Sequence, residues 1–263
     1  MAAADVVNQR AIAAIVGALV GDAAAQPIHW IYNLNKLKDV LSRSENPEFR
    51  VPSANPFYCI ETGKNTCYGD QTLALLESLV RCGGLDTKDF AKTQYRYFGP
   101  DTEYEDSANA KYVMKSGVRK GFPIQAAWRN QVIKDFMKKY EAGMEETGSE
   151  RSKDMHAIIQ VVPVAALYAG RPEMLDKVEE AVSVTMTADE AIVHSLVAAR
   201  IMEHYILHGS DGNAVESVLK ELRNPQRSNA HSLDRAIIGF LENVRQNESV
   251  PHFAAATKLF KNN

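Results

Sequence analysis

At 263 residues, 45% apolar and 24% charged, the chain has a globular composition and enough length for a sizeable core. Its 30 basic and 33 acidic residues are interspersed and leave a formal net charge of -3, so nucleic acid is not an expected partner. Three irregularly spaced cysteines (Cys59, Cys67, Cys82) exclude a disulfide framework; free thiols are expected, with a Cys59–Cys67 bridge as the alternative.

Residues 6–26 are alanine-rich and apolar on almost every face, which predicts a helix buried at the centre of the fold and ended by Pro27. The apolar run within it, 11–20, is short of a membrane span, and residues 1–5 lack the basic region of a secretory signal, so no membrane partner is expected. Asn33 is placed to cap a short helix to Leu41, and 42–64, with Pro47, Pro52, Pro56 and Gly63, reads as a long loop. Leucines spaced for one face predict a helix over 70–82, closed by Gly83-Gly84, and Asp86 opens another that runs to Phe98.

Further helices are predicted over 103–118 and in the run after Pro123 to Tyr140, then a polar loop over 141–153. The apolar run 155–169 contains Pro163, so a kink or break is expected there. Helices over 172–183, 188–207, 213–222 and 233–245 and an amphipathic stretch over 251–260 complete the pattern. Only 183–187 alternates like a strand. The fold class is therefore all-α: one compact helical domain spanning 1–263 around a buried first helix.

Two acids stand at the edges of apolar helical runs. Asp22 follows Gly21 inside the first, where it serves either as an internal hydrogen-bonding cap or as an acid orienting metal ligands. Asp70 stands at the start of the leucine-rich helix, either as an N-cap favoured by the macrodipole or as a metal ligand or base. His29-Trp30, at the mouth of the first helix, reads as a packed aromatic pair or as a stacking ring with a titratable nitrogen. Asp154-Met155-His156 is a weaker pair, with Asp154 expected as a cap. His204 and His208 share one helical face, read as solvated. No GxSxG elbow, P-loop or GxGxxG occurs.

Together, GALVGDAAAQPIHW (17–30), the long loop and YGDQTLALLESL (68–79) resemble the ADP-ribosylglycohydrolase family, and the likeness continues through IIQVVPVAALYAG (158–170) and VTMTADEAIVHSLVAARI (184–201). Within the family the chain looks most similar to the J-crystallins of jellyfish lens. The resemblance implies a compact all-helical fold with two magnesium ions in a central cleft, acting on the glycosidic link to ADP-ribose. The family's Thr-Asp-Asp-Thr loop falls on Tyr68, Gly69, Asp70 and Gln71, so one acid of two remains, and a family glutamate falls on His29. The family's acidic segment near the carboxyl end has no counterpart after Asp234, where only Glu242 and Glu248 are acidic.

One carboxylate cannot compensate two magnesium ions, and an imidazole is a poor magnesium ligand, so no cofactor is expected and Asp70 is at most a vestigial metal ligand. The resemblance thus implies a lens crystallin, located in the cytoplasm, whose remnant site holds Asp70 and His29 as catalytic relics. Trp30, Tyr68, Gly69, Gln71 and His156 are then ligand-binding residues. The alternatives are a hydrolase of an ADP-ribose-type bond and a non-catalytic binder of an ADP-ribose-like small molecule. That small molecule and a homo-oligomer are the expected partners.

Overall fold

The computed structural model describes residues 2–43, 46–105, 121–227, 230–251 and 254–255. Among these there are ten α-helices and no β-strand. They are α1 (Ala2–Ala25), α2 (Leu34–Ser42), α3 (Cys67–Cys82), α4 (Thr87–Phe98), α5 (Gln131–Glu141), α6 (Val161–Tyr168), α7 (Met174–Ser183), α8 (Asp189–His208), α9 (Ala214–Leu222) and α10 (Asp234–Gln246). The helix expected over 103–118 falls largely on residues outside those described, as does most of 251–260.

The local signals act as their chemistry requires. Asn33 caps α2 by accepting from the backbone N–H groups of Asn35 and Lys36, and Asp86 caps α4 through Lys88 and Asp89. Gly83 closes α3 in the left-handed region, φ 68°. Pro163 divides its run: a 3-10 turn over Met155–Gln160 precedes α6, and Pro163 sits in the first turn of α6, where its missing N–H is not needed. Asp154 precedes that turn but makes no capping bond, contrary to expectation. The alternating 183–187 segment finds a one-residue partner, with Ser149 and Met186 forming an isolated parallel bridge.

The all-helical class holds, but the central position of the first helix does not. α8 is the helix that packs against most others: α1, α6, α7, α9, α10 and the 3-10 turn before α6. The main core runs through Leu75, Phe90, Phe136, Val164, Leu196 and Leu219 and takes no described side chain from α1. α1 lies along α3, α6 and α8 with one flank and exposes the other, where Ile12 is 61%, Val16 52% and Val20 51% accessible. An apolar helix is free to leave a face in water; composition sets what is tolerated inside, not what must go there. α1 also continues through Gly21-Asp22, so 4–28 is long and apolar enough to cross a membrane by length and composition, contrary to the expectation drawn from 11–20. Asp22 is a single charge, and the helix runs past it.

Candidate functional site

The C-terminal turn of α1 meets the first turn of α3 through Asp22. Its Oδ1 accepts from the Thr66 hydroxyl at 2.6 Å, and its Oδ2 accepts from the Thr66 backbone N–H at 2.7 Å and the Asn65 amide at 3.1 Å. Asn65 also donates to the Leu19 carbonyl at 2.8 Å. Thr66 is in turn the N-cap of α3, accepting from Tyr68 N–H. Asp22 is therefore a clamp between two helices, satisfied by Thr66, the N-cap of α3, and the preceding Asn65 rather than by its own helix. Gly69 is required here: a Cβ would come within 2.5 Å of both the Asn65 amide nitrogen and Asp22 Oδ2.

Asp70 lies in the first turn of α3, whose N-cap is Thr66, so it is not the N-cap expected of it. It accepts a 2.6 Å hydrogen bond from the Tyr104 phenol. Burial pushes its pKa up to about 6, against the opposing effect of that bond. His29 Nδ1 is hydrogen-bonded to the Tyr58 hydroxyl at 3.0 Å. Burial lowers its pKa to about 4, partly offset by the Asp22 charge, so the ring is neutral near pH 7. No hydrogen bond joins His29 to Asp70 among the described residues. Cys59 and Cys67 are both free thiols, which removes the alternative of a bridge.

A cavity of about 470 Å³ opens on the other side of the same turn. Four rings line it: Trp30, Tyr32, Tyr68 and Trp128. Trp30 adopts φ 61°, a conformation costly for a bulky residue, and is held by edge contacts from Phe57, Tyr58, Tyr68 and Trp128 at 5.5–6.4 Å. His29 backs it at 4.5 Å. The polar wall comes from Asn130, Gln131 and Lys134 at the start of α5 and from Asp154 and His156 before the 3-10 turn. Asn130 caps α5 through the Ile133 N–H, which fixes that turn against the cavity. The Lys134 ammonium lies over the Trp128 ring, 4.8 Å from its centroid. His156 packs on Tyr68 at 5.6 Å; its buried Nε2 has no hydrogen-bond partner among the described residues, and burial lowers its pKa.

The structure thus brings Trp30, Tyr68 and His156 to one cavity. Asp70, His29, Gly69 and Gln71 do not line it: Gly69 belongs to the clamp, and the Gln71 amide is buried inside α3. Trp128 and Lys134 escaped the sequence reading because they are a loop residue and a helix residue with no motif between them. The only signals were the rarity of tryptophan, two in the chain, and the Asn cap one turn before the lysine. A larger cavity, about 780 Å³, lies between α1 and α8, but its walls are mainly apolar. Its one cation among the described residues, Arg10, donates to the Ile206 and Leu207 carbonyls at the end of α8.

Magnesium is the ion the resemblance implies, and Asp22 and Asp70, the two acids described at this turn, do not fit a pair of such ions. Both Asp22 oxygens accept from Thr66 or Asn65, and Asp70 Oδ2 accepts from the Tyr104 phenol. Among the described residues no group of three or more His, Cys, Asp or Glu side chains is placed to hold a metal.

An all-helical body in which the Gly21-Asp22 and Gly69-Asp70 segments meet defines the class, and residues 3–261 match the family model for ADP-ribosylglycohydrolase; the chain belongs to that family. Among curated relatives it is similar to Crystallin J1A of Tripedalia cystophora, 35% identical over 223 residues, which are 84% of this chain and 66% of that protein. Crystallin J1B of the same organism is 36% identical over 221 residues, 84% of this chain and 65% of that protein. The chain thus spans just under two thirds of the length of the relatives it matches.

Proposed function

We propose that the protein is a lens-type structural crystallin of the cytoplasm, built on the ADP-ribosylglycohydrolase fold and without two-magnesium hydrolysis. The observation that carries this reading is the saturation of Asp22 by Thr66 and Asn65. A carboxylate engaged by three internal donors holds helices together, and freeing it for a cation would cost those bonds. The two crystallin relatives and the interspersed surface charge favour the same role. The exposed flank of α1 favours self-association as the partner interaction.

Magnesium calorimetry on the full chain, paired with an assay for release of ADP-ribose from an ADP-ribosylated substrate, tests the reading. Neither stoichiometric magnesium binding nor magnesium-dependent release is expected. Two tightly bound ions per chain, or turnover that magnesium restores, would return the protein to the hydrolases.

The aromatic cavity favours a second reading alongside the first: non-catalytic binding of an ADP-ribose-like small molecule. Trp30, Tyr68 and His156 are its contact residues here, with Gly69 and Gln71 supporting the helix that carries Tyr68. Metal-free binding of ADP-ribose, read by calorimetry, is its test.

A further inference from the structure

The cavity beside α3 combines four aromatic walls with a cation that the protein itself leaves unmatched. Lys134 is half-buried and makes no ion pair among the described residues, although Asp154 lines the same cavity. Its ammonium is held over the face of Trp128, and burial together with the neighbouring Arg129 charge presses its pKa down. A partly desolvated ammonium beside a second cation is stabilised by an incoming anion more than one free in water would be. The cavity also offers two indoles in edge contact at 6.1 Å. Indole and phenol faces take flat rings through offset or edge contacts, and Trp30 is kept in a strained backbone conformation that points to a positional demand on that ring. A cation as ligand is disfavoured, because Lys134 already occupies the Trp128 face.

We propose that this cavity binds a planar aromatic anion without a metal: the ring packs against Trp30, Trp128 and Tyr68, and its carboxylate or phosphate is held by Lys134. This rests on the reading of the cavity as a ligand pocket and adds the ligand's charge, the residue that selects it and its independence of magnesium.

Both tryptophans of the chain line the cavity, so intrinsic fluorescence reports on this place alone. The full chain is titrated, in chelator, with two matched pairs, benzoate against benzamide and AMP against adenosine, exciting at the red edge of the indole band. Saturable quenching is expected, with the anion of at least one pair binding about tenfold more tightly than its neutral partner. The pair with the larger ratio tells a carboxylate ligand from a phosphate one. Lys134→Met, which keeps the stem over Trp128, should bring the anion to the affinity of the neutral ligand and leave the neutral ligand unchanged. Asp154→Asn, at an exposed side chain, should strengthen anion binding a few-fold. Equal affinities within both pairs overturn the proposal while leaving a ligand pocket in place, as does an anion preference that survives Lys134→Met. No saturable quenching by any of the four overturns both the proposal and the pocket reading.

Discussion

On one side of the first turn of α3, Asp22 and Asp70 each end on donors supplied by the protein itself. On the other side, Lys134 lines an aromatic cavity and makes no ion pair among the described residues. The residues are equally polar, and the difference lies in who satisfies them. Internal satisfaction makes a carboxylate a structural brace, whereas a polar group left unmatched in a concave apolar setting has its free energy to gain from a ligand. Of the loop positions that the resemblance picks out, Gly69 and Asp70 are engaged inside the protein, whereas Tyr68 lines the cavity beside Lys134.

Removing the brace should give the largest effect. Asp22→Ala leaves the Thr66 N–H, the Thr66 hydroxyl and the Asn65 amide without their acceptor, and should cost about 4 kcal/mol of stability in urea unfolding. A loss below about 1 kcal/mol would mean that water replaces the carboxylate readily, and the contrast between the two sides would disappear.

Next comes pH, because Asp70 and His29 shift in opposite directions. Asp70 is raised from 3.8 to about 6 in the folded state, so its penalty is full above pH 6 and gone below 3.8: acidification through that window stabilises. His29 is lowered from 6.5 to about 4, so the folded state must stay neutral where the unfolded chain would take a proton: acidification from 6.5 to 4 destabilises. Each limb amounts to at most about 3 kcal/mol, and in the natural chain the two nearly cancel. Asp70→Asn should therefore uncover a fall in stability from pH 6.5 to 4, and His29→Gln a rise from pH 6 to 4. Both are read as unfolding free energy against pH, relative to the natural chain. If Asp70→Asn loses a falling limb instead, the Tyr104 bond outweighs burial and Asp70 is an anion that the fold stabilises.

Gly69→Ala should cost less, about 2 kcal/mol, because a new Cβ must push against Asn65 and Asp22 side chains that are already fixed by hydrogen bonds. In the Asp22→Ala background much of that cost should vanish, since the two sites share one clamp. Full additivity in the double variant would place the strain elsewhere.

The helical class was legible because it rests on local rules: Asn33, Asp86 and Gly83 cap as their side chains and φ preferences dictate, and Pro163 breaks its run. The position of α1 was not, since an apolar helix carries no mark of which neighbours cover it, and α8 took the centre instead. At the site, Asp22 and Asp70 were visible as costly acids, but their partners Thr66, Asn65 and Tyr104 are fixed by tertiary contact alone. Trp128 and Lys134 reach the cavity roughly 100 positions from Trp30 and 66 positions from Tyr68 in sequence.

Gln71 gives the smallest effect and the finest discrimination. Its amide is fully buried one residue after Asp70, and neither its oxygen nor its nitrogen has a hydrogen-bond partner among the described residues. A buried amide without partners is a liability that an apolar side chain of similar shape removes, so Gln71→Met should leave stability unchanged or raise it by about 1 kcal/mol. A ligand that used the amide would reverse the sign of the effect in its presence: thermal stabilisation by AMP or benzoate would shrink in the variant. An unchanged ligand response together with unchanged or raised stability would keep Gln71 on the structural side of α3, with Asp22 and Asp70. A diminished response would move it across the helix to the cavity.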